Sequence, residues 1–372
     1  MCAGFAVHLT FMLIQSVELK NFRNYESLSL QFDQGINIFY GNNAQGKTNL
    51  LEALFVGCTS KSHKAVKDRE LLRFGTEEAH IKLNVEKRGV PYRIDMHIKK
   101  NRSKGIALNG VPIRRASELF GIANVVFFSP EDLGIIKHGP AERRRFMDLE
   151  LCQLNRIYTH NLISYNRIMN QKNRLLKELD WHNEQEDVLE IYNEQLLQYG
   201  REVIRERAKF VEALNQLIAD IHGGITKHAE NLRLQYDCNV DAEQFEQALK
   251  RARGQELRQH MSLVGPHRDD ICFLINDVDI RHFGSQGQQR TAALSLKLAE
   301  ISLVELLVGD KPVLLLDDVL SELDRERQTL LLARVGGIQT MMTCTGLDDF
   351  VKNRFHIDKL FCVKNGMVTG EN

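Results

Sequence analysis

The stretch GNNAQGKT, residues 41–48, decides the fold class of this chain. It fits the pattern G-x-x-x-x-G-K-[ST] in full, in which the backbone N–H groups of a glycine-rich loop cradle phosphate oxygens. The apolar run INIFY at 36–40 predicts a strand before the loop, and NLLEALF at 49–55 predicts a helix after it. Because strand, loop and helix in this order are the context that the motif requires, the sequence predicts a nucleotide-binding α/β domain and not an ordinary glycine-containing turn.

The residues of this loop are expected to divide the work of binding a nucleotide. The glycines permit a backbone that approaches phosphate oxygens closely, and the helix that follows presents its positive dipole end to them. Lys47 is expected to contact the β- and γ-phosphates of ATP, and the hydroxyl of Thr48 to bind Mg²⁺, so ATP and Mg²⁺ are the predicted cofactors. The predicted nucleotide-binding residues here are Gly41, Asn42, Asn43, Ala44, Gln45, Gly46, Lys47, Thr48 and Asn49.

A second motif, VLLLDD at 313–318, is an apolar run that ends in two carboxylates. Asp317 stands where an aspartate at the end of a strand holds Mg²⁺, directly or through water. Asp318 follows it, at the position where many ATPases of this type place a glutamate that orients the attacking water. Lys47, Asp317 and Asp318 are therefore the predicted catalytic residues, and Thr48 and Asp317 the predicted metal ligands. Taken alone, any buried strand that ends in a turn would give the same pattern.

Two further segments extend the argument beyond a simple P-loop. FGSQGQQRT at 283–291 resembles the signature of ABC ATPases, in which a Ser-x-Gly-x-Gln stretch at a helix N-terminus faces a γ-phosphate. SELD at 321–324 resembles their D-loop. The predicted nucleotide-binding residues of the signature are Ser285, Gly287 and Gln288, and the alternative is a helix N-cap with no further role. In ABC-type heads the signature of one subunit completes the ATP site of the other, so the resemblance implies an ATP-dependent homodimer.

The order of elements predicts the architecture. Strand-like runs occupy both ends of the chain, whereas 141–222 carries helical spacing and no proline lies between Pro140 and Pro266. The sequence therefore predicts an α/β, ABC/SMC-type P-loop ATPase head with strands from both chain ends, interrupted by a mainly α-helical arm domain. The predicted limits are 12–125 and 262–372 for the head domain, and 126–261 for the arm domain. Residues 1–11, an apolar stretch before Met12, are expected to be an N-terminal extension.

Composition excludes some functions and leaves others open. The 49 basic and 49 acidic residues give a formal net charge of zero, so DNA binding would have to come from local basic clusters, most of which are only solvated faces. The candidate clusters are Lys61, Lys64, Lys67 and Arg69; Lys99, Lys100, Arg102 and Lys104; and Arg143, Arg144 and Arg145. The seven cysteines lack zinc-site spacing, and no apolar run reaches 18 residues. We therefore expect a reduced, cytoplasmic protein with no membrane partner.

Six segments together resemble the RecF family within the ABC/SMC-type heads. They are ELKNFRNYESLSLQF at 18–32, GINIFYGNNAQGKTNLLEAL at 35–54, FFSPEDLGIIKHGPAERRRFMDLEL at 127–151, LVGPHRDD at 263–270, SQGQQRT at 285–291 and LLLDDVLSELD at 314–324. Other ABC/SMC heads share the P-loop but lack PEDL…RRRF and GPHRDD. The resemblance implies a weak, DNA-stimulated ATPase of recombinational repair and replication-fork maintenance. It also implies binding to single- and double-stranded DNA and gapped junctions, RecR as a partner, and RecO and RecA in the same pathway.

Two rival functions remain compatible with a P-loop. A transporter ATPase subunit is one, although the separation of 237 residues from Thr48 to Ser285, filled by the predicted helical insertion, argues against it. A structural clamp that binds ATP without significant turnover is the other, because Asp318 is shorter than the usual glutamate. Analogy with related heads places Arg23 and Tyr25 near the adenine or ribose, and a solvated turn is the alternative for both.

Overall fold

A computed structural model describes residues 12–64, 67–178, 186–346 and 356–371. The predicted extension at 1–11 lies outside these residues. The strands are β1 Met12–Phe22, β2 Tyr25–Gln31, β3 Ile36–Tyr40, β4 Glu78–Lys87, β5 Val90–Lys99, β6 Arg102–Leu108, β7 Val111–Pro112, β8 Val125–Phe128, β9 Leu232–Asp237, β10 Asp270–Ile275, β11 Val278–Asp279, β12 Val313–Asp317, β13 Thr340–Cys344, β14 Lys359–Lys364 and β15 Met367–Glu371. The α-helices are α1 Lys47–Thr59, α2 Leu133–Lys137, α3 Pro140–Leu154, α4 Arg156–Glu178, α5 Glu186–Thr226, α6 Phe245–Gln259, α7 Gln286–Val308 and α8 Arg325–Val335.

The chain divides into two compact units. Unit 1 combines Met1–Pro130 with Glu300–Asn372, and unit 2 is Glu131–Ala299. The predicted arm ended at residue 261, so unit 2 extends 38 residues further than that limit. The physical reason is strand pairing: β10 hydrogen-bonds to β9 and β11 in a small antiparallel sheet of unit 2, and the segment after Gly265 therefore belongs with the helices.

Unit 1 contains a mainly parallel sheet with the strand order β15-β14-β3-β13-β12-β8. The strands β8, β12 and β13 are buried along their whole length, which explains why their sequences are continuous apolar runs and do not alternate. β3 pairs in parallel with β13 and β14. Because the carboxyl ends of parallel strands lie along one edge of a sheet, the P-loop after β3 lies near the end of β12, where Asp317 stands.

A second sheet of unit 1 is antiparallel, with the order β2-β1-β4-β5-β6-β7. Its strands alternate buried and exposed residues, as expected for a sheet with one face in the core. Asn109 and Gly110 form the hairpin turn between β6 and β7, and both have positive φ (52° and 82°). The mainly parallel sheet, which joins β3 and β8 to β12–β15, confirms the predicted combination of strands from both chain ends for unit 1.

Unit 2 is built around the packing of α4 along α5, with α6 and the small sheet beside them. An apolar stripe of α5 is buried at Leu189, Leu196 and Val203, as the helical spacing of 141–222 predicts. Gly223 and Gly224 lie inside the last turn of α5, which continues to Thr226. Within the ranges that the structure describes, no helix is long and apolar enough to cross a membrane.

A set of buried charges centred on Arg207 stabilises unit 2. The Arg207 side chain is 2% exposed and donates to Asp148 at 2.7 Å, to Asp269 at 2.9 Å and to the carbonyl of Pro266 at 2.6 Å. Its Nε also donates to the Tyr158 hydroxyl at 3.1 Å. Burial alone would lower the pKa of Arg207, but the charges of Asp148 and Asp269 raise it well above its ordinary value. The guanidinium is therefore buried with four hydrogen bonds for its five N–H donors.

The segments PEDL…RRRF and GPHRDD meet around this residue. Arg143 forms two hydrogen bonds with Asp270, at 2.5 and 2.9 Å, and Arg144 donates to the carbonyl of Asp269 at 2.8 Å. Arg143 is only 1% exposed, so its assignment to a DNA-binding cluster is wrong, and Arg145 is the exposed arginine of the three. The "Arg207 network" below comprises Arg143, Asp148, Tyr158, Arg207, Tyr236, Asp269 and Asp270.

Candidate functional site

The P-loop joins β3 to α1 in a conformation that depends on glycine at two positions. Gly41 has φ 151°, and a Cβ there would lie 2.2 Å from the carbonyl oxygen of Val363. Gly46 has φ 114°, and a Cβ there would lie 2.4 Å from the side-chain amide of Asn24. The loop residues 42–44 are exposed, so a phosphate could reach the backbone N–H groups of the loop from solvent.

Lys47 begins α1 and folds back over the loop. Its Nζ donates to the carbonyl oxygens of Gly41 at 2.5 Å and of Asn42 at 2.9 Å. Burial lowers the pKa of the Lys47 ammonium, and the charges of Asp318, Cys344 and Asp317 oppose this shift. Among the described residues Lys47 has no ion-pair partner, so a buried cation lies beside the loop without an anion in contact.

Asp317 and two threonine hydroxyls form the second part of the site. Thr48 Oγ1 donates to Asp317 Oδ1 at 2.8 Å, and Thr343 Oγ1 donates to the same oxygen at 2.9 Å. Lys64 Nζ lies 3.9 Å from the other oxygen, Asp317 Oδ2. Hydroxyl and carboxylate oxygens are the ligands that Mg²⁺ prefers, and a cation already faces Asp317 Oδ2, so the residues present fit a magnesium ion.

Asp318 follows in a left-handed conformation, with φ 52°. Its backbone N–H donates to Thr343 Oγ1 at 2.9 Å, and its carbonyl accepts from Ser321 of the D-loop-like segment at 2.7 Å. Its backbone is thus fixed, whereas no side chain of the described residues donates to its carboxylate. Thr343 of β13 lies outside the motifs described above, yet it contacts both Asp317 and Asp318.

Residues far apart in the chain fix the outer part of the loop. Asn24 Nδ2 donates to the carbonyl of Gln45 at 3.1 Å, and the backbone N–H of Asn365 donates to Gln45 Oε1 at 2.6 Å. Asn49 Nδ2 also donates to Asn24 Oδ1, at 2.8 Å. The β1–β2 turn and the β14–β15 turn therefore clamp the loop from two sides. No sequence motif signals these contacts, because each partner is a common turn residue.

Arg23 and Tyr25 also support the loop and its helix. The Tyr25 hydroxyl is buried and donates to the Gly46 carbonyl at 2.9 Å. Arg23 forms two hydrogen bonds with Glu52 of α1, at 2.7 and 2.8 Å. Burial alone would raise the pKa of the Glu52 carboxyl, but the hydrogen bonds from Arg23 and Ser62 lower it below its ordinary value. The solvated turn is therefore wrong for Tyr25, which is buried, and an adenine or ribose contact remains a prediction for both residues.

Comparisons with known proteins give the family. A family model described as an AAA domain matches residues 16–257. The DNA replication and repair protein RecF of Lachnospira eligens is 55% identical over 363 residues, which are 97% of this chain and all of that protein. The chain belongs to the RecF family. The resemblance inferred from PEDL…RRRF and GPHRDD is thus confirmed.

Two solved structures are similar to this chain, one at the level of the family and one at the level of the fold alone. The structure of "the recombination mediator protein RecF-ATP in RecFOR pathway" superposes with a TM-score of 0.92 at 34% identity, over 100% of both chains. The Smc head domain of Pyrococcus furiosus superposes with a TM-score of 0.55 at 16% identity, over 97% of this chain and 96% of that one, which supports the fold alone. The predicted fold class, an ABC/SMC-type head, is therefore confirmed for this RecF-family chain.

The signature-like segment belongs to unit 2 and begins α7. The Ser285 carbonyl accepts the first helical hydrogen bond, from Gln289 at 3.0 Å, so Ser285 is the N-cap. Ser285 Oγ accepts from the Gln288 N–H at 3.2 Å, and Gln288 Oε1 accepts from the Ser285 N–H at 2.9 Å, which is a capping box. Ser285 and Gly287 are exposed, and Gln288 is half-buried. The predicted nucleotide-binding roles of these three residues remain predictions.

The basic clusters differ in how many of their charges are already paired. Lys104 is 16% exposed and pairs with Asp68 at 3.0 Å, and Lys100 pairs with Glu77 at 2.7 Å. Lys61 and Lys67, which follow α1, are exposed. Of the candidate clusters, the one after α1 therefore offers the most accessible positive charge for a nucleic acid backbone.

Proposed function

We propose that this chain is an ATP-dependent DNA-binding protein of recombinational repair and replication-fork maintenance. In this proposal it binds ATP and Mg²⁺ in the P-loop site, forms a homodimer when ATP is bound, and hydrolyses ATP slowly with stimulation by DNA. The dimer would bind single- and double-stranded DNA and gapped junctions without sequence preference. RecR would be its direct partner, with RecO and RecA in the same pathway, and the outcome would be the loading of RecA.

The observation that carries the proposal is the pairing of Thr48 with Asp317 beside the buried Lys47. A hydroxyl and a carboxylate 2.8 Å apart offer two oxygen ligands to one hard cation. The Lys47 ammonium needs an anion, because two neutral carbonyls are its only hydrogen-bond partners within the described part of the chain. A nucleoside triphosphate with Mg²⁺ supplies both charges at once. The solved relative described as RecF-ATP supports the choice of ATP.

The chain's own residues would divide the hydrolytic step as follows. Lys47 and the loop N–H groups would hold the phosphates, and Thr48 and Asp317 would hold Mg²⁺, which neutralises charge that develops on the phosphates. Asp318 would orient the attacking water. Its backbone is fixed by hydrogen bonds, and its carboxylate receives no hydrogen bond from a side chain of the described residues. Ser285 would act from a second subunit, because its hydroxyl is exposed at the N-terminus of α7.

One experiment tests the dimer and another tests the hydrolysis. Solution mass is measured without nucleotide, with ADP and with ATP, for the natural chain and for Ser285→Arg. We expect ATP alone to convert monomer to dimer and Ser285→Arg to prevent it; a mass that ignores ATP while ATP still binds would contradict the composite site. Phosphate release with DNA present is compared with Lys47→Ala, and equal rates would contradict the enzymatic part.

A second function, an ATP-binding clamp without significant turnover, is favoured by one observation. The Asp318 side chain is one carbon shorter than the glutamate found in many related ATPases, so it reaches less far toward a water. The two functions differ in the effect of Asp318→Asn. If hydrolysis resets the complex, this variant should bind ATP and remain on DNA longer than the natural chain. If it behaves as the natural chain does while Lys47→Ala loses DNA binding, the clamp is the better description.

A further inference from the structure

We infer that Glu230, supported by His222, is a positioning residue for the signature serine Ser285. The inference rests on the proposed function, in which Ser285 completes an ATP site. All of its residues lie in unit 2, and each link is a hydrogen bond of known length. Glu230 precedes β9, His222 lies in the last turns of α5, and neither belongs to the segments that sequence analysis singled out.

The first link fixes the orientation of the Gln288 side chain. Gln288 Nε2 donates to Glu230 Oε1 at 2.9 Å, while Gln288 Oε1 accepts from the Ser285 N–H at 2.9 Å. A carboxylate can only accept, so Glu230 requires the NH₂ end of the amide to face it. The oxygen end must then face Ser285. Without Glu230 the amide could turn over, and an NH₂ group would oppose the Ser285 N–H.

The second link fixes the Glu230 carboxylate. His222 Nε2 lies 3.2 Å from Glu230 Oε2, and His222 Nδ1 lies 2.9 Å from Ser295 Oγ. The Ser295 hydroxyl donates to the Thr291 carbonyl at 2.8 Å. His222 and Ser295 are fully buried, whereas the Glu230 side chain is 23% exposed. A buried imidazole thus connects two points of α7, at Ser295 and, through Glu230, at its capping box.

The arrangement resembles a catalytic Ser–His–Glu triad only in composition. Ser295 lies inside α7 with no exposed surface, and its proton is engaged by the helix backbone. It cannot attack a substrate. The function that remains is orientation: the chain of contacts ends at Ser285, which is exposed and carries the hydroxyl that the proposed ATP site uses.

The test measures the ATP concentration that gives half-maximal dimer, for the natural chain, Glu230→Lys, Glu230→Gln and Glu243→Lys. Lysine has only donors and should force the Gln288 amide over, so we expect dimerisation to need about tenfold more ATP or to fail. Glutamine keeps an acceptor and should stay within about twofold of the natural chain. Glu243→Lys makes the same charge change at an exposed carboxylate of unit 2 and should have no effect.

The readouts separate failure of the inference from failure of the proposed function. ATP binding to the monomer should be unchanged in Glu230→Lys, because the P-loop belongs to unit 1. If Glu230→Lys melts earlier than Glu243→Lys, Glu230→Ala replaces it in the same assay, with the same expected loss. If Glu230→Lys, or Glu230→Ala where it replaces it, dimerises at the same ATP concentration as the natural chain, the inference alone is overturned. Absence of an ATP-dependent dimer of the natural chain would overturn the proposed function, and the inference with it.

A different observation supports a second inference, about the exposed face of the antiparallel sheet in unit 1. His80 of β4 stands directly opposite His97 of β5, and Glu78 lies two residues before His80, so all three side chains share one face. Their ligand atoms all lie within 4.8 Å of one another. We propose that these three residues bind a divalent transition metal of the Zn²⁺ type, for which two imidazoles and a carboxylate are an ordinary donor set.

Some neighbours of the three residues favour metal binding, and one neighbour, Lys99, opposes it. His97 Nε2 lies 2.9 Å from Glu78 Oε2, and Gly105, opposite His97 in β6, leaves space for a further ligand such as water. Lys99 lies 3.8 Å from Glu78 Oε2 and competes for that oxygen.

Titration of the full chain with Zn²⁺ at pH 7.5 tests the site. We expect the natural chain to bind one equivalent more than His97→Ala or His80→Ala, and His282→Ala, a change at an exposed histidine elsewhere, to bind as the natural chain does. Lys99→Ala should bind this equivalent about two- to tenfold more tightly, because it removes the competing cation. Equal stoichiometry in the natural chain and both sheet variants would overturn the proposal.

Discussion

The P-loop site and the Arg207 network both place cations beside carboxylates, but they differ in how completely the charges are satisfied. Arg207 has partners for its guanidinium on Asp148, Asp269, Tyr158 and a backbone carbonyl. Lys47 has two neutral carbonyls, and the Asp318 carboxylate has no side-chain donor among the described residues. Charges whose partners are complete stabilise the fold, whereas charges with spare capacity are available to a ligand.

The largest expected effect is on stability, from Arg207→Ala. Removing Arg207 leaves the buried Asp269 carboxylate and the half-buried Asp148 carboxylate without their guanidinium partner, which costs about 3–5 kcal/mol of unfolding free energy. Chemical denaturation followed by circular dichroism measures it. Arg205→Ala is the matched control, since Arg205 lies on the same helix but pairs with Glu202 and Glu243 at the surface. Equal losses for the two variants would contradict the distinction between the network and the surface.

Lys47→Ala should reduce the hydrolysis of ATP and leave the stability of the fold unchanged. Phosphate release is expected to fall about 10²–10³-fold, because the main positive charge on the transferred phosphoryl group is lost. The melting temperature without nucleotide should not fall, since Lys47 is a buried cation that has no ion-pair partner among the residues that the structure describes. Differential scanning fluorimetry with and without ATP measures both properties. A large loss of stability without nucleotide would show that Lys47 is structural and would remove the contrast with Arg207.

The third prediction concerns pH and the edge of the Arg207 network. His267 Nδ1 lies 2.7 Å from the Tyr165 hydroxyl, its Nε2 lies 3.2 Å from the Ser262 carbonyl, and burial lowers its pKa from 6.5 to about 4. A pKa that is lower in the folded state means that the fold favours the neutral ring. The contribution to stability is complete above pH 6.5 and is lost as the pH falls to 4.

For His267 alone this loss amounts to about 3 kcal/mol. Unfolding free energies at pH 6.5, 5.5 and 4.5 measure it, with His267→Gln as the comparison, because glutamine retains a donor and an acceptor but does not titrate. The slope of stability against pH should be smaller in the variant. Identical slopes would mean that other groups cause the acid sensitivity.

The smallest expected effect comes from Tyr25→Phe, which removes the hydroxyl beneath the P-loop. The Gly46 carbonyl loses a donor at 2.9 Å, at a cost of about 0.5–1.5 kcal/mol. ATP should bind somewhat more weakly, because the start of α1 is less firmly placed. Thermal melts and nucleotide titration of the same sample measure both. An unchanged affinity with reduced stability would separate support of the loop from support of the fold.

Much of the fold and part of the site followed from sequence because their signals are local. A glycine-rich loop between a strand and a helix, and an apolar run that ends in Asp317, are readable within a few residues. The signature segment was also readable, although the sequence could not show that Ser285 forms a capping box with Gln288.

The rest depends on contacts between distant residues, and a single sequence carries no sign of them. The basic run at 143–145 looked like a DNA-binding cluster, yet Arg143 is buried by Asp270, which lies 127 residues later. The limit of unit 2 was misplaced because β10 pairs with β9, and pairing partners are not written in local composition. Thr343, Asn24 and Asn365 join the site in the same way, through the edge of the sheet and its turns.

The position of β3 in its sheet has a consequence for synthesis on the ribosome. Both neighbours of this strand, β13 and β14, are encoded roughly 300 residues after it. At about 5–20 residues per second, the strand that leads into the P-loop therefore waits about 15–60 seconds for its first partner. The nucleotide cradle is the earliest motif to leave the ribosome and among the last to be completed. Until then this apolar strand has two unpaired edges, and we expect chaperones that bind nascent chains to bind it.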